Sequence, residues 1–257
     1  MSEYEKAIKE KYKGGDVVVF KTVDSTNNIA KQLALNGANE GTVIISECQT
    51  DGKGRLGRSF FSPEGGIYMS VILRPDKSLD ASLMITVAAA VAACRSFEKN
   101  TDKKCFIKWV NDIYISNKKV CGILTVGSFG ADTKSLDYAV MGIGINLSLP
   151  KQGFPEEIKD KAGSLFGTNF VSEEKKISVI CDFLNEFINI YSSTDKKDLI
   201  NEYRKKSFLN GKTIEYNKDG ITHIATVKGI DNNAGLILNE NGNEYTINAG
   251  EVQIKKF

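Results

Sequence analysis

With 257 residues, 41% of them apolar, 26% charged and only four proline, the chain has room for one large domain or a large and a small one, and its composition excludes extended disorder. Thirty-four basic against thirty-two acidic residues leave a net charge of +2, too weak to imply a nucleic-acid partner for the chain as a whole. Five scattered cysteines with no CxxC pair suit reduced thiols, a single histidine (His223) reads as structural, and the longest apolar run, Leu83 to Cys94, is too short to span a bilayer.

In chain order, residues 3–13 read as a short charged helix with no apolar leader segment. Val17-Val18-Val19-Phe20 is β-branched and apolar, hence a strand, and Asp24-Ser25-Thr26-Asn27-Asn28 follows as a cluster of helix N-cap residues. Apolar Ile29, Ala30, Leu33 and Ala34 then recur at helical spacing. Capping explains one of Ser25, Thr26 and Asn27. Three exceed what a cap needs, and a helix N-terminus also holds polar ligands.

Thr42 to Gln49 reads as a strand running into Gly52-Lys53-Gly54-Arg55-Leu56-Gly57-Arg58. Three glycines interleaved with three cations let the backbone approach a ligand closely while the side chains supply positive charge, which suits an anion. Nucleic-acid contacts and plain solvated loops share this composition. The spacing is neither that of a P-loop nor that of a dinucleotide fingerprint.

Further strands are expected at Gly66 to Leu73, Cys105 to Trp109, Ile113 to Ile115 with Lys119 to Val126 as a hairpin, and Tyr138 to Leu149. The almost wholly apolar Ser82 to Phe97 reads as a buried helix. Gly142 and Gly144 lie inside a strand, so either something approaches closely there or a helix packs against them. Two amphipathic helices, roughly Ser172 to Tyr191 and Asp195 to Phe208, come next. From residue 210 short strands alternate with turns such as Asp219-Gly220 and Asn241-Gly242, ending at Glu251 to Ile254, the pattern of a small β-barrel. The expected organisation is α+β, with a mixed sheet and packed helices in residues 1–209 and a small barrel in residues 210–257.

Strand and loop ends thus deliver Gln49, Lys53, Arg55, Arg58, Lys108, Asn111, Asp112, Lys119 and Asn146. Cations without a paired acid or a histidine nucleophile favour charge stabilisation over general-base hydrolysis. That points to phosphoryl or nucleotidyl transfer, usually with magnesium.

Five motifs in order make the chain similar to the biotin protein ligases: Asp24-Ser25-Thr26-Asn27, the Gly52 to Arg58 loop, Lys108-Trp109-Val110-Asn111-Asp112, Lys119-Val120-Cys121-Gly122-Ile123-Leu124 and Gly142-Ile143-Gly144-Ile145-Asn146. The C-terminal part resembles the family's SH3-like domain. The resemblance implies a catalytic domain like that of class II aminoacyl-tRNA synthetases, with ATP and biotin as substrates and Mg2+ as a helper ion. Biotin would be activated as biotinyl-AMP and passed to a lysine of a biotin carboxyl carrier protein such as that of acetyl-CoA carboxylase. By position, Ser25, Thr26, Asn27 and Gln49 would surround the ureido end of biotin. Lys53, Gly54, Arg55, Lys119 and Gly122 would face biotin, with Lys108, Arg55 and Lys119 acting on the reacting charges. Arg58, Phe60, Asn111 and Asn146 would hold the adenylate, Phe60 against the adenine, and Asp112 is the candidate metal ligand.

Three residues depart from the family pattern. Lys53 stands where many relatives have Arg, Val110 where Pro is usual and Cys121 where Ala is usual; a small apolar role and a reactive thiol are both open for Cys121. Lipoate ligases share the chemistry and are the nearest rival. A DNA-binding repressor role is not expected, since sixteen residues before Val17 are too few for a helix-turn-helix domain. A cytoplasmic protein without membrane contact is expected, and a homodimer is left open.

Overall fold

The computed structural model describes residues 2–75, 81–129, 136–193, 195–218, 220–250 and 252–254; Asp219 and Glu251, expected in a turn and a strand, lie outside them. Seven strands form the large sheet: β1 (Val17–Val23), β2 (Val43–Gln49), β3 (Ile67–Leu73), β4 (Phe106–Lys108), β5 (Asp112–Ile115), β6 (Lys118–Phe129) and β7 (Leu136–Ile145). Their order is β1-β2-β3-β7-β6-β5-β4, with β1 and β2 parallel and every other pair antiparallel, so the sheet is mixed as expected.

One face of this sheet carries the main core. The almost wholly apolar α3 (Ala81–Thr101) lies on it, with Val87, Ala89, Ala90, Val91, Ala93 and Cys94 fully buried. It extends beyond the expected Ser82 to Phe97 at both ends. Helices α1 (Glu3–Lys11), α4 (Glu173–Tyr191) and α5 (Lys196–Lys206) complete the layer. The apolar stripe of α4 puts Phe183, Leu184 and Phe187 in the interior, each worth about 1.5–3 kcal/mol of transfer free energy. Ser172 caps α4, its Oγ accepting from the Lys175 amide at 3.3 Å.

The other face is covered only in part. Helix α2 (Thr26–Leu35) packs Ala30 and Ala34 on Ile44, Ile72 and Val140. Side chains alternate along a strand, so Ile72, Ser70 and Tyr68 of β3 share that face, as do Val140, Gly142 and Gly144 of β7. The face is apolar beneath α2 and changes to serine and glycine beyond the helix N-terminus, which leaves a cleft. Strand β7 ends at Ile145, four residues before the expected limit. Beyond it the Asn146 and Leu147 carbonyls accept from the Leu165 and Phe166 amides of a neighbouring loop.

After α5, strands β8 (Thr213–Lys218), β9 (Ile221–Ile230), β10 (Leu236–Glu240), β11 (Asn243–Ile247) and β12 (Val252–Ile254) form a second, antiparallel sheet in the order β11-β10-β9-β8-β12. The expected barrel is therefore an open sheet among the described residues, because its outer strands, β11 and β12, do not pair with each other. It is tied to the rest by Trp109 Nε1 donating to Ala234 O at 2.8 Å, and by Arg204 donating to Ile230 O and Asn232 Oδ1, both at 2.7 Å. His223 stacks on Tyr216 and sits 3.2 Å from the Glu240 carboxylate, a structural position as expected. Among the described residues no helix is long and apolar enough to cross a membrane.

Two predictions follow from this packing. Tyr203 is fully buried and its O–H donates to Val110 O at 2.9 Å. Tyr203→Phe leaves that carbonyl unpaired and is expected to cost about 1–3 kcal/mol, read as a lower urea midpoint with an unchanged m-value. In the second, hydrogen bonds from Tyr245 and His223 hold the Glu240 carboxyl below its ordinary value of 4.5. A carboxyl depressed on folding stabilises above its unfolded value and loses that contribution as pH falls through the folded one. Glu240→Gln should thus lower the melting temperature at pH 7, with the gap to the parent closing on acidification below 4.5.

Candidate active site

Ser25 is the N-cap of α2, yet its side chain makes no capping hydrogen bond and is buried at the cleft. The helix therefore does not consume its hydroxyl. Thr26 donates its backbone N–H to Gln49 Oε1 at 2.8 Å, with its own Oγ1 3.1 Å from the same oxygen. Gln49 Nε2 in turn donates to Ser62 Oγ at 2.9 Å, which fixes the amide. Asn27 lies over Gly142, where a Cβ atom would stand 2.2 Å from its Oδ1, so only glycine fits beneath it. Ser25, Thr26, Asn27 and Gln49 form an uncharged, polar end of the cleft.

The glycine-basic loop is a short hairpin. Phe60 N donates to Gly52 O at 2.8 Å, Lys53 and Ser59 bridge, and Gly54 N donates to Arg58 O at 2.7 Å. A 3-10 turn at Arg55–Gly57 forms the tip, with Leu56 and Gly57 at positive φ. Arg55 spans two parts of the molecule: Nη1 donates to Asn111 Oδ1 at 2.9 Å and Nη2 to Gly250 O of the C-terminal sheet at 2.7 Å. Lys53 pairs with Asp51 at the loop base. Lys119 Nζ stands 2.7 Å from Asp112 Oδ1, a buried oxygen that this ion pair satisfies by charge without hydrogen-bond geometry.

Between these two ends the cleft holds a cavity of about 130 Å3. Five cations, Lys53, Arg55, Arg58, Lys108 and Lys119, line it, against one acid among the described residues, Asp112. Its floor is Gly122, Gly142 and Gly144 of the sheet. Phe60 rests there: a Cβ on Gly144 would come within 2.4 Å of its ring, and one on Gly122 within 3.0 Å. The strand glycines thus admit side chains from a loop and a helix end, Phe60 and Asn27. Lys119 Nζ stands 5.8 Å from the Phe60 ring centroid, and the ring of Tyr68 meets it edge-on.

Every site residue expected from the sequence lines the cleft except Asn146, whose Nδ2 donates to Gly163 O at 2.9 Å. It supports the loop that follows β7. Trp109, Ser59 and Val252 line the cleft unannounced, and Val252 arrives from β12 of the C-terminal sheet. No local pattern could have flagged it. Cys121 is fully buried, and burial pushes its thiol well above the ordinary range, so it packs as a small apolar residue. The peptide between Trp109 and Val110 is cis.

Residues 19–146 match the model of the biotin/lipoate A/B protein ligase family. That match takes in 128 of the 257 residues. It is 39% identical over 165 residues to the bifunctional ligase/repressor BirA of Bacillus subtilis, covering 64% of this chain and 50% of that protein. It is 26% identical over 237 residues to the biotin–[acetyl-CoA-carboxylase] ligase of Mycobacterium tuberculosis, covering 89% and 85%. A solved biotin protein ligase from Aquifex aeolicus, in complex with biotin and ATP, superposes with a TM-score of 0.77 at 25% identity, covering 94% of this chain and 99% of that one. The chain spans about half the length of the first curated relatives it matches.

Because Arg55 joins the loop tip to Gly250, Arg55→Ala is expected to raise amide hydrogen exchange at Gly250 and in residues 252–254 while leaving α3 protected. Mass-resolved exchange on the full chain checks this.

Proposed function

We propose that the chain is an ATP-dependent ligase that converts biotin to biotinyl-5′-AMP and transfers it to the ε-amino group of a lysine on a biotin carboxyl carrier protein. The observation that carries this reading is the polarity of the cleft, uncharged hydrogen-bonding groups at one end and five cations at the other. Biotin has the same asymmetry, a cyclic urea at one end and a carboxylate at the other. Ser25, Thr26, Asn27 and Gln49 meet the urea, and Lys53, Arg55 and Lys119 meet the carboxylate and the α-phosphate. A dithiolane ring, as in lipoate, offers no hydrogen-bonding groups and would strand the buried polar end, which disfavours the rival ligase.

In the first step a biotin carboxylate oxygen attacks the α-phosphorus of ATP, the bond to the β-phosphate oxygen breaks, and pyrophosphate leaves with the electron pair. Two anions must approach, so Lys108, Arg55 and Lys119 lower the barrier by screening them. In the second step a deprotonated lysine amine attacks the acyl carbon, and AMP departs from the mixed anhydride. Neither step needs an enzyme nucleophile. Arg58 and Asn111 hold the nucleotide, with Phe60 beside the adenine.

Magnesium, when bound, supplies positive charge to the phosphate oxygens. Asp112, with one buried oxygen outside any hydrogen bond, is the residue that would hold it. Among the described residues no cluster of three or more candidate ligands exists, so phosphate oxygens would make up the rest of the shell. The C-terminal sheet fits an SH3-like role here, closing the cleft through Gly250 and Val252. Unpaired cysteines fit a cytoplasmic setting, and the net charge of +2 gives no reason to assign these residues DNA binding.

Incubation with ATP and labelled biotin or lipoate tests the reading: biotinyl-AMP and a labelled carrier are expected, and lipoyl-AMP as the sole product rejects it. Arg55→Gly should still form adenylate but release it early, detected as free biotinyl-AMP by filtration. Retention equal to the parent's would remove Arg55 from the clamp.

A further inference from the structure

Ser70 of β3 is fully buried and contacts two residues of the cleft's polar end, although it was not among the expected site residues. Its Oγ lies 2.8 Å from Thr26 Oγ1 and 2.6 Å from Asn27 Oδ1. A hydroxyl has one proton to give. The 2.6 Å separation fits O–H···O and is too short for N–H···O, so the oxygen of the Asn27 amide faces Ser70 and receives that proton. The same Ser70 proton is shared with Thr26 Oγ1, which accepts it at 2.8 Å. The Thr26 O–H itself donates to Gln49 Oε1 at 3.1 Å, an amide oxygen that has no proton to give and also accepts the Thr26 backbone N–H. The order is then Thr26 O–H to Gln49, and Ser70 O–H to Asn27 and Thr26.

That order has consequences at the cleft surface. The Asn27 Nδ2, with no hydrogen-bond partner among the described residues, is left as a donor. Thr26 Oγ1, its proton committed to Gln49, is left with a lone pair and accepts. We propose that Ser70 is a positioning residue that sets this donor and acceptor sense, and so selects a ring bearing one carbonyl and flanking N–H groups. The assignment rests on reading the cleft as a biotin site. It goes beyond that reading in naming which atom meets which: Asn27 donates to the urea carbonyl and Thr26 accepts from a urea N–H. A cyclic guanidinium of the same shape, as in 2-iminobiotin, has donors only and meets the Asn27 N–H unfavourably.

Ser70→Ala frees the Asn27 amide to turn its oxygen towards the ligand. Calorimetric titration of the full chain with biotin, with 2-iminobiotin and with ATP tests this. The expected result is a rise of about tenfold in the biotin Kd, a constant or smaller Kd for 2-iminobiotin, and an unchanged ATP Kd. A purely structural role would weaken both rings alike. Asn27→Asp removes the donor without changing the shape, should shift the preference the same way, and carries the test if Ser70→Ala does not fold. Parallel losses for both rings, or an unchanged biotin Kd in the folded Ser70→Ala protein, overturn this assignment alone. Failure of the unsubstituted protein to bind either ring overturns the biotin reading and this assignment with it.

Discussion

The cleft exists because one face of the large sheet changes character along its strands. Beneath α2 the face presents Ile44, Ile72 and Val140, and burial of these holds the helix down. Past the helix N-terminus the same rows present Ser70, Gly142 and Gly144, together with Gly122 of β6. Nothing there repays covering by another helix, so the surface stays open, and the missing side chains provide depth. The same small residues admit Asn27 from the helix end and Phe60 from the loop, so both walls of the cleft depend on one floor.

Onto this floor the chain brings two kinds of chemistry that need different support. The uncharged end works only if its buried groups point the right way, and each is held by a neighbour: Gln49 by Ser62 and Thr26, and Asn27 by Ser70. The cationic end needs charge concentrated against its own repulsion. Asp51 and Asp112 moderate that repulsion by pairing with Lys53 and Lys119, without removing any cation from the cleft. Arg55 has a further task, since its guanidinium joins Asn111 to the Gly250 carbonyl and makes the C-terminal sheet part of the loop's anchorage. Arg55 thus links the loop to the second sheet, alongside the bond from the cleft-lining Trp109 to Ala234 O.

Local sequence was informative wherever a function depends on contiguous residues. The strand-to-helix turn at Ser25 to Asn27, the loop from Gly52 to Arg58 and the Lys108 to Asp112 segment each carry their chemistry in a run, and each reached the cleft. Asn146 belonged to such a run yet turned away, because its partner, Gly163 O, lies in a loop that no strand pattern announces. Ser70 and Val252 were silent for a related reason: one sits inside an ordinary apolar strand, the other in a short strand distant in sequence. Among the described residues the barrel expected from turn spacing is an open sheet, since spacing counts strands and does not say whether the outer ones meet.

By itself the sequence determined the elements, the mixed character of the large sheet, the run of short strands after residue 210, and the pool of polar and cationic residues available for chemistry. Periodicity and turn chemistry act over a few residues, so they are legible in the linear order. Only the tertiary structure decided which glycines form the floor, that Arg55 reaches Gly250, that Ser70 orients Asn27, and that β12 closes onto the cleft. Those are contacts between segments 43 to 195 residues apart. They are set by how the two faces of the sheet are covered, a property that no short stretch of sequence contains.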